Sequence, residues 1–251
     1  MIYILILAIL SISLVLYMVK EAFENNVLYH ELQMDEEGEK LVLFFISDVH
    51  VRKVNEQMIR SITKKVDAVI IGGDFADKRT PIDRIYANIN LLKLLGPVYF
   101  VWGNNDREVG EERLRSIFNE TGVQVIEDDA VLLNSQNKIW LSAVDFTAKT
   151  NTNFDKIFDK VEEGAVNIFI SHNPQIFPTI LRNYKVDFLM GGHLHGGQIR
   201  FGPFGVHPPG SFSIIEGVPI LISNGYGTTL LPLRLGAKPQ CHIIDVKFSL
   251  K

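Results

Sequence analysis

His193 and His195 stand one residue apart in the stretch DFLMGGHLHGGQ, with Gly191 and Gly192 before them and Gly196 and Gly197 after. A neutral imidazole is a common ligand for transition-metal ions. Four other places in the chain set polar donors of related type just behind an apolar run. LVLFFIS ends in Asp48-Val49-His50, DAVII in Gly72-Gly73-Asp74, VYFVW in Gly103-Asn104-Asn105-Asp106, and AVNIFIS in His172-Asn173-Pro174. Each alone reads as ordinary turn chemistry, since Asp caps helices, Gly-Gly-Asp makes turns and a lone histidine behind a strand is solvated. Taken together they do not, because every donor is a carboxylate, an imidazole or an amide and four of the seven histidines are among them. Two divalent cations held about 3.5–4 Å apart repel each other and need one shared anion with N and O donors around each, which such a set supplies. Cys241 is the only cysteine, so a disulfide within the chain is excluded and any metal must use His, Asp, Glu or Asn.

Donors so far apart in sequence must be gathered by the fold. Strand-length apolar bursts alternate with amphipathic segments of helical length: LVLFFI then NEQMIRSITKK, DAVII then PIDRIYANINLLKLL, VYFVW then EERLRSIFNE. That alternation predicts an α/β sheet with strands buried on both faces. VQVI, AVLLN and KIWLSAV are closely spaced, as in an antiparallel meander, before AVNIFIS, PQIFPTILRNY and VDFLM restore the earlier pattern. Ligands of open α/β sheets gather at the carboxyl ends of strands, and the donors stand there. One catalytic domain built on two sheets is expected.

The 251 residues are 47% apolar and 22% charged, enough for a real core, and the formal net charge of -4 offers no basic field for a nucleic-acid partner. Met1 to Val19 carry no charged side chain. At ~1.5 Å per residue they reach ~28 Å, close to the hydrocarbon thickness, and residues 1–19 read as a transmembrane anchor. A cleaved signal peptide is the alternative, but there is no basic start and Tyr17-Met18-Val19-Lys20 is not a small-x-small cleavage pattern. Residues 20–40 turn polar and acidic, as in a juxtamembrane connector. Lys20 and Lys40 are the only basic side chains near the span and none precedes it, so orientation is poorly specified and the charge rule only leans towards a cytoplasmic catalytic domain.

The ordered motifs DVH, GGD, GNND, SHNP and GGHLHGGQ resemble those of the calcineurin-like metallophosphoesterase superfamily, over about residues 41 to 248. The resemblance implies a two-sheet α/β/β/α sandwich for a catalytic domain spanning residues 41–251. Residue by residue it implies that Asp48, His50, Asp74 and His195 bind one metal. Asp74 would bridge to a second metal held by Asn104, His172 and His193. Manganese, iron or zinc suits such donors. The implied reaction is in-line attack of a metal-bridging hydroxide on a phosphodiester or pyrophosphate, with no covalent enzyme intermediate. Residues two apart in an extended segment share a side, so His193 and His195 can serve adjacent metals, and the glycines leave room for metals and phosphate. The superfamily's third motif usually reads Gly-Asn-His-Asp, whereas Asn105 replaces the histidine here. Asn105 cannot give up a proton but can hydrogen-bond a phosphoryl oxygen, which alters the leaving-group chemistry. A membrane-tethered scaffold or binding protein of weak or no turnover is the alternative on the same fold.

The tail, GGQIRFGPFG and SNGYGTTLLPLRLGAKPQ, resembles the membrane-anchored bacterial branch of the superfamily, which includes UDP-2,3-diacylglucosamine pyrophosphatase-like and other lipid-linked phosphodiesterases. Arg200, Arg234 and Lys238 are candidate phosphate contacts, while Asn224 stands where the family commonly has an arginine. Confinement beside a bilayer favours a lipid-linked or amphipathic phosphoester as the partner, with the membrane itself.

Overall fold

Runs such as LVLFFI and VNIFIS have no polar face, so strands made from them must be covered on both sides. The structure, a computed structural model describing residues 1–37, 39–134, 138–146 and 152–249, covers them with two six-stranded sheets face to face and helices outside. Residue 38 of the expected connector and residues 135–137, 147–151 and 250–251 of the expected catalytic domain lie outside the described residues.

The first sheet is ordered β1-β14-β2-β3-β4-β5, from β1 (Asn26–Glu37), β2 (Leu41–Ile46), β3 (Ala68–Gly72), β4 (Val98–Val101), β5 (Gln124–Val125) and β14 (Gln240–Ser249). β2 to β5 pair in parallel, and β14 runs antiparallel to β2. The second sheet is ordered β12-β13-β9-β8-β7-β6, from β6 (Asp129–Asn134), β7 (Ile139–Val144), β8 (Val166–Ser171), β9 (Phe188–Gly191), β12 (Ser211–Ile215) and β13 (Val218–Ile222). A separate two-stranded hairpin holds β10 (Arg200–Phe201) and β11 (Phe204–Gly205). Phe45, Ile70 and Val101 of the first sheet meet Ile168, Met190 and Leu141 of the second in the central core. On the outer face of the first sheet α2 (Glu56–Ser61), α3 (Ile82–Leu92) and α4 (Glu111–Thr121) bury Ile59, Ile89 and Phe118. On that of the second, α5 (Phe154–Phe158) and α6 (Phe177–Asn183) bury Ile157 and Ile180. This is the expected α/β/β/α sandwich.

Two local expectations are corrected. Val125 of the supposed meander joins the first sheet, parallel to β4, so that of the meander's segments β6 and β7 alone pair with each other, antiparallel. The supposed connector is mostly strand: Asn26 to Glu37 form β1, an edge strand parallel to β14. Its acidic composition is that of a one-sided strand, in which Leu32 and Met34 are buried while Glu31 and Gln33 face solvent.

Before β1 runs α1 (Ile2–Ala22), 21 residues with a mean hydropathy of 2.7 over its most apolar window and almost entirely exposed. At ~1.5 Å per residue it is ~31 Å long, so its length and composition suffice to cross a membrane. A signal sequence meets the same test. Its last turn touches the domain: Arg234 N donates to Met18 O at 3.1 Å, and Ala22 is buried.

Candidate metal centre

Asp48 and His50 follow β2, Asp74 follows β3, Asn104 and Asn105 follow β4, His172 follows β8, and His193 and His195 follow β9. Five parallel strand ends from two sheets therefore deliver these side chains to one edge of the sandwich. Backbone bonds tie the loops together there, with Asp48 N donating to Gly73 O (2.9 Å), His50 N to Asp74 O (3.1 Å) and Gly192 N to His172 O (3.1 Å).

The local backbone is unusual. Asp48 (φ 53°), His50 (51°), Asp74 (51°), His193 (71°) and His195 (49°) are all left-handed, five of the ten such non-glycine residues among those described. Each costs of order 1–3 kcal/mol, a strain that persists only where the surroundings enforce it and that clusters at functional sites. His193 and His195 do face different donor groups, but through left-handed turns and not through the alternation of an extended segment. Two glycines outside the histidine loop make room for the donor side chains. A Cβ on Gly103 would sit 2.3 Å from Asp74 Oδ1, and one on Gly73 (φ 86°) 2.5 Å from His172 Nδ1.

Two groups result. Asp48, His50 and His195 form one and Asp74, His172 and His193 the other, each with donor atoms within 4.8 Å of one another. His195 Nε2 lies 3.2 Å from Asp48 Oδ1 and 3.3 Å from His50 Nε2. Asp74 Oδ2 lies 3.3 Å from His172 Nε2 and 3.8 Å from His50 Nε2, within reach of both groups. His172 Nδ1 is 2.8 Å from Gly72 O, to which it donates, and its Nε2 is buried with no hydrogen-bond partner. A ring held by its distal N–H, with the other nitrogen buried and unpartnered among carboxylates, is what a divalent cation requires in place of that nitrogen's proton, so the residues fit such an ion. Asn104 is exposed, and its Nδ2 donates to Asn105 Oδ1; Asn105 N donates to Asp74 Oδ1 at 2.7 Å.

Electrostatics agree. Burial pushes the Asp48 carboxyl up, but the His195, His172 and His50 imidazoles outweigh it and hold the group well below the usual carboxylate range. Burial draws His172 down, yet Asp74 and Asp48 outweigh that and push it up to about 9. Burial lowers His193 and His195.

Asp106 was not among the expected site residues. It is fully buried and accepts from Gly103 N (2.7 Å), Asp74 N (2.8 Å) and Ala76 N (3.0 Å), pinning two ligand loops to each other. Burial and then the charge of Asp74 push its carboxyl up to about 7. Its place in GNND was the available signal. Phe146 was also missed; its ring centroid is 5.2 Å from that of His193.

Arg200 and Arg234 are corrected as phosphate contacts. Arg234 is fully buried and donates to the carbonyls of Asn224, Gly227 and Ala237, while Arg200 is buried and donates to those of Gly196, Pro203 and His207. Both hold the tail loops around the site, a role that a stretch rich in glycine turns needs because its carbonyls lack a sheet partner. Lys238 is exposed and pairs with Glu24 at 3.1 Å.

Residues 41–197 match the family described as Calcineurin-like phosphoesterase. The chain belongs to that family. This calcineurin-like phosphoesterase is 40% identical to YpbG of Bacillus subtilis over 209 residues, covering 82% of this chain and 81% of that protein. It is 22% identical to the phosphodiesterase YaeI of Escherichia coli over 223 residues, 81% of each chain. Its fold resembles that of a dimetal phosphatase from Danio rerio, with a TM-score of 0.51 at 12% identity over 74% of this chain and 87% of that one. The protein is accordingly a phosphoester hydrolase, and its family together with the two donor groups supports divalent metal.

A pH dependence follows. In metal-stripped protein His172, raised from 6.5, stabilises the fold fully below 6.5 and loses that effect as pH rises through about 9. Asp106, raised from 3.8, likewise favours the fold at low pH and ceases to as pH rises through about 7. A cation must displace the His172 proton and relieves the repulsion of Asp106 by Asp74. The increase in Tm on adding manganese should therefore be larger near about pH 8 than near about pH 6, measured by differential scanning fluorimetry. A pH-independent increase would contradict the proton displacement.

Proposed function

We propose that the protein hydrolyses a phosphodiester or pyrophosphate bond in a membrane-associated, lipid-linked or amphipathic substrate, using two divalent ions. Asp48, His50, Asp74 and His195 would hold one ion. Asp74, as the bridge, would hold the other with Asn104, His172 and His193. The observation that carries this reading is the reach of Asp74 Oδ2 to His172 on one side and His50 on the other. When bound, manganese, iron or zinc would supply an activated water and positive charge for the phosphoryl oxygens. The chain's own groups do the rest. The Gly72 carbonyl fixes the His172 ring, Asp106 fixes the Asp74 loop, and the Asn105 amide would donate to a phosphoryl oxygen. Because Asn105 has no transferable proton, substrates with good leaving groups should turn over best.

The name of YaeI, a phosphodiesterase, supports a diester. The apolar α1 and its contacts with the domain support a membrane anchor, now without a flexible connector, since only Phe23, Glu24 and Asn25 separate α1 from β1. Asn105 favours the second reading, a scaffold of weak turnover. Bis-p-nitrophenyl phosphate separates the two. The hydrolase should release p-nitrophenolate with added manganese and stop on chelation, whereas inertness with manganese, iron and zinc alike would support the scaffold.

A further inference from the structure

The end of α1 and the metal centre share one edge of the sandwich. Asn26 opens β1 opposite Gln240, and β14 sets His242 opposite Phe45, near the carboxyl end of β2 and just ahead of Asp48. The chain thus leaves α1 beside the loops that carry the donors. Three hydrogen-bonded links extend from that point. Arg234 N binds Met18 O, Arg200 N binds Leu235 O at 2.6 Å, and Gln198 Nε2 donates to the carbonyls of Thr229 and Leu231 at 3.3 Å. The turn around Leu230 and the β10–β11 hairpin are therefore fastened beside the last turn of α1.

These two segments are apolar where water would reach them. Leu230 is 83% exposed, Leu231 63%, Phe201 67%, Phe204 78% and Val206 81%. Grouped exposure of large apolar side chains in tethered segments marks a contact surface. Leu230 joins two clefts, one of about 150 Å³ lined by His50, Asp77 and Asn105 at the donors, the other of about 350 Å³ lined by Ala22, Lys53 and Arg84 at the end of α1. Lys53 and Lys78 flank this turn and Lys20 closes α1, as suits an anionic headgroup layer. Arg79 is held by Asp77 at 2.6 Å and by Leu230 O at 2.9 Å, and Glu108 lines the cleft at the donors.

Taking α1 as a membrane anchor, the geometry points to a second membrane contact: the β10–β11 hairpin and the Leu230–Leu231 turn enter the interface of the bilayer that α1 crosses. The mouth of the metal centre then opens onto the headgroup layer. Substrate reaches it laterally, with its phosphoester at headgroup depth.

The test uses the full chain reconstituted in vesicles containing anionic phospholipid. Cys241, the only native cysteine, is buried and its thiol is pushed up to about 12 by burial, so an introduced cysteine is the site that labels. Phe204→Cys and Leu231→Cys carry an environment-sensitive fluorophore. Lys65→Cys and Glu163→Cys, exposed residues ahead of β3 and β8 at the opposite end of the sandwich, are the controls. Lipids bearing a spin label near the headgroup should quench the first pair several-fold more than the second. Equal quenching of both pairs in protein that floats with the vesicles would overturn the second contact and leave the anchor standing. Protein that does not float would overturn both, while the hydrolase reading is judged separately by the soluble diester.

Discussion

Asp74→Asn should lower metal-dependent hydrolysis of bis-p-nitrophenyl phosphate by ~10³-fold or more in kcat/KM, ~4 kcal/mol of transition-state stabilisation. The Asp74 carboxylate reaches both donor groups, so its charge is the one on which two adjacent cations would depend. An amide of the same shape keeps the oxygen that accepts from Asn105 N and so keeps the loop, while the bridging anion is lost. Metal content, measured by plasma emission on the same samples, should drop below two ions per chain. In metal-stripped protein the charge of Asp74 both repels Asp106 and attracts protonated His172, so the two effects of Asp74→Asn on stability oppose each other, and metal content is the readout that isolates the bridging role. Full metal content with less than tenfold loss of rate would refute the bridging role.

The donors were legible because strand ends are legible. Asp48, Asp74, His172 and His193 each follow an uninterrupted apolar run that could only be a buried strand, and two such sheets bring their carboxyl ends together. How those donors turn was not legible. Left-handed conformations at Asp48, His50 and Asp74 depend on neighbours distant in sequence, such as the bonds from Asp48 N to Gly73 O and from His50 N to Asp74 O. β1 was hidden for a related reason, because an edge strand with one buried face looks acidic and its partner β14 lies some two hundred positions away. Arg200 and Arg234 show the limit of reading charge by type. A guanidinium has five donors, and in a loop without sheet partners backbone carbonyls can take them before any phosphate does.

Asp106→Ala should cost ~3 kcal/mol or more, since three buried backbone N–H groups lose their acceptor and each unpaired one costs ~1–3 kcal/mol. For a chain of this size that is a fall in Tm of about 6–12 °C. Removing the charge also relieves repulsion with Asp74 where Asp106 is ionised, above about pH 7, so the full loss should show at about pH 6 and a smaller one at about pH 8. Asp106→Asn is the graded control. Its oxygen can retain the bonds from Asp74 N and Gly103 N, leaving Ala76 N facing an amide donor, so it should fall between alanine and wild type. Asp106 acts through Asp74 as a positioning residue, and manganese affinity should weaken by about 10–100-fold in the alanine variant. At saturating manganese much of the turnover number should return, because the donors themselves are intact. An alanine variant that melts within about 2 °C of wild type, less than a single lost buried bond would produce, would show that the two ligand loops are held by other contacts.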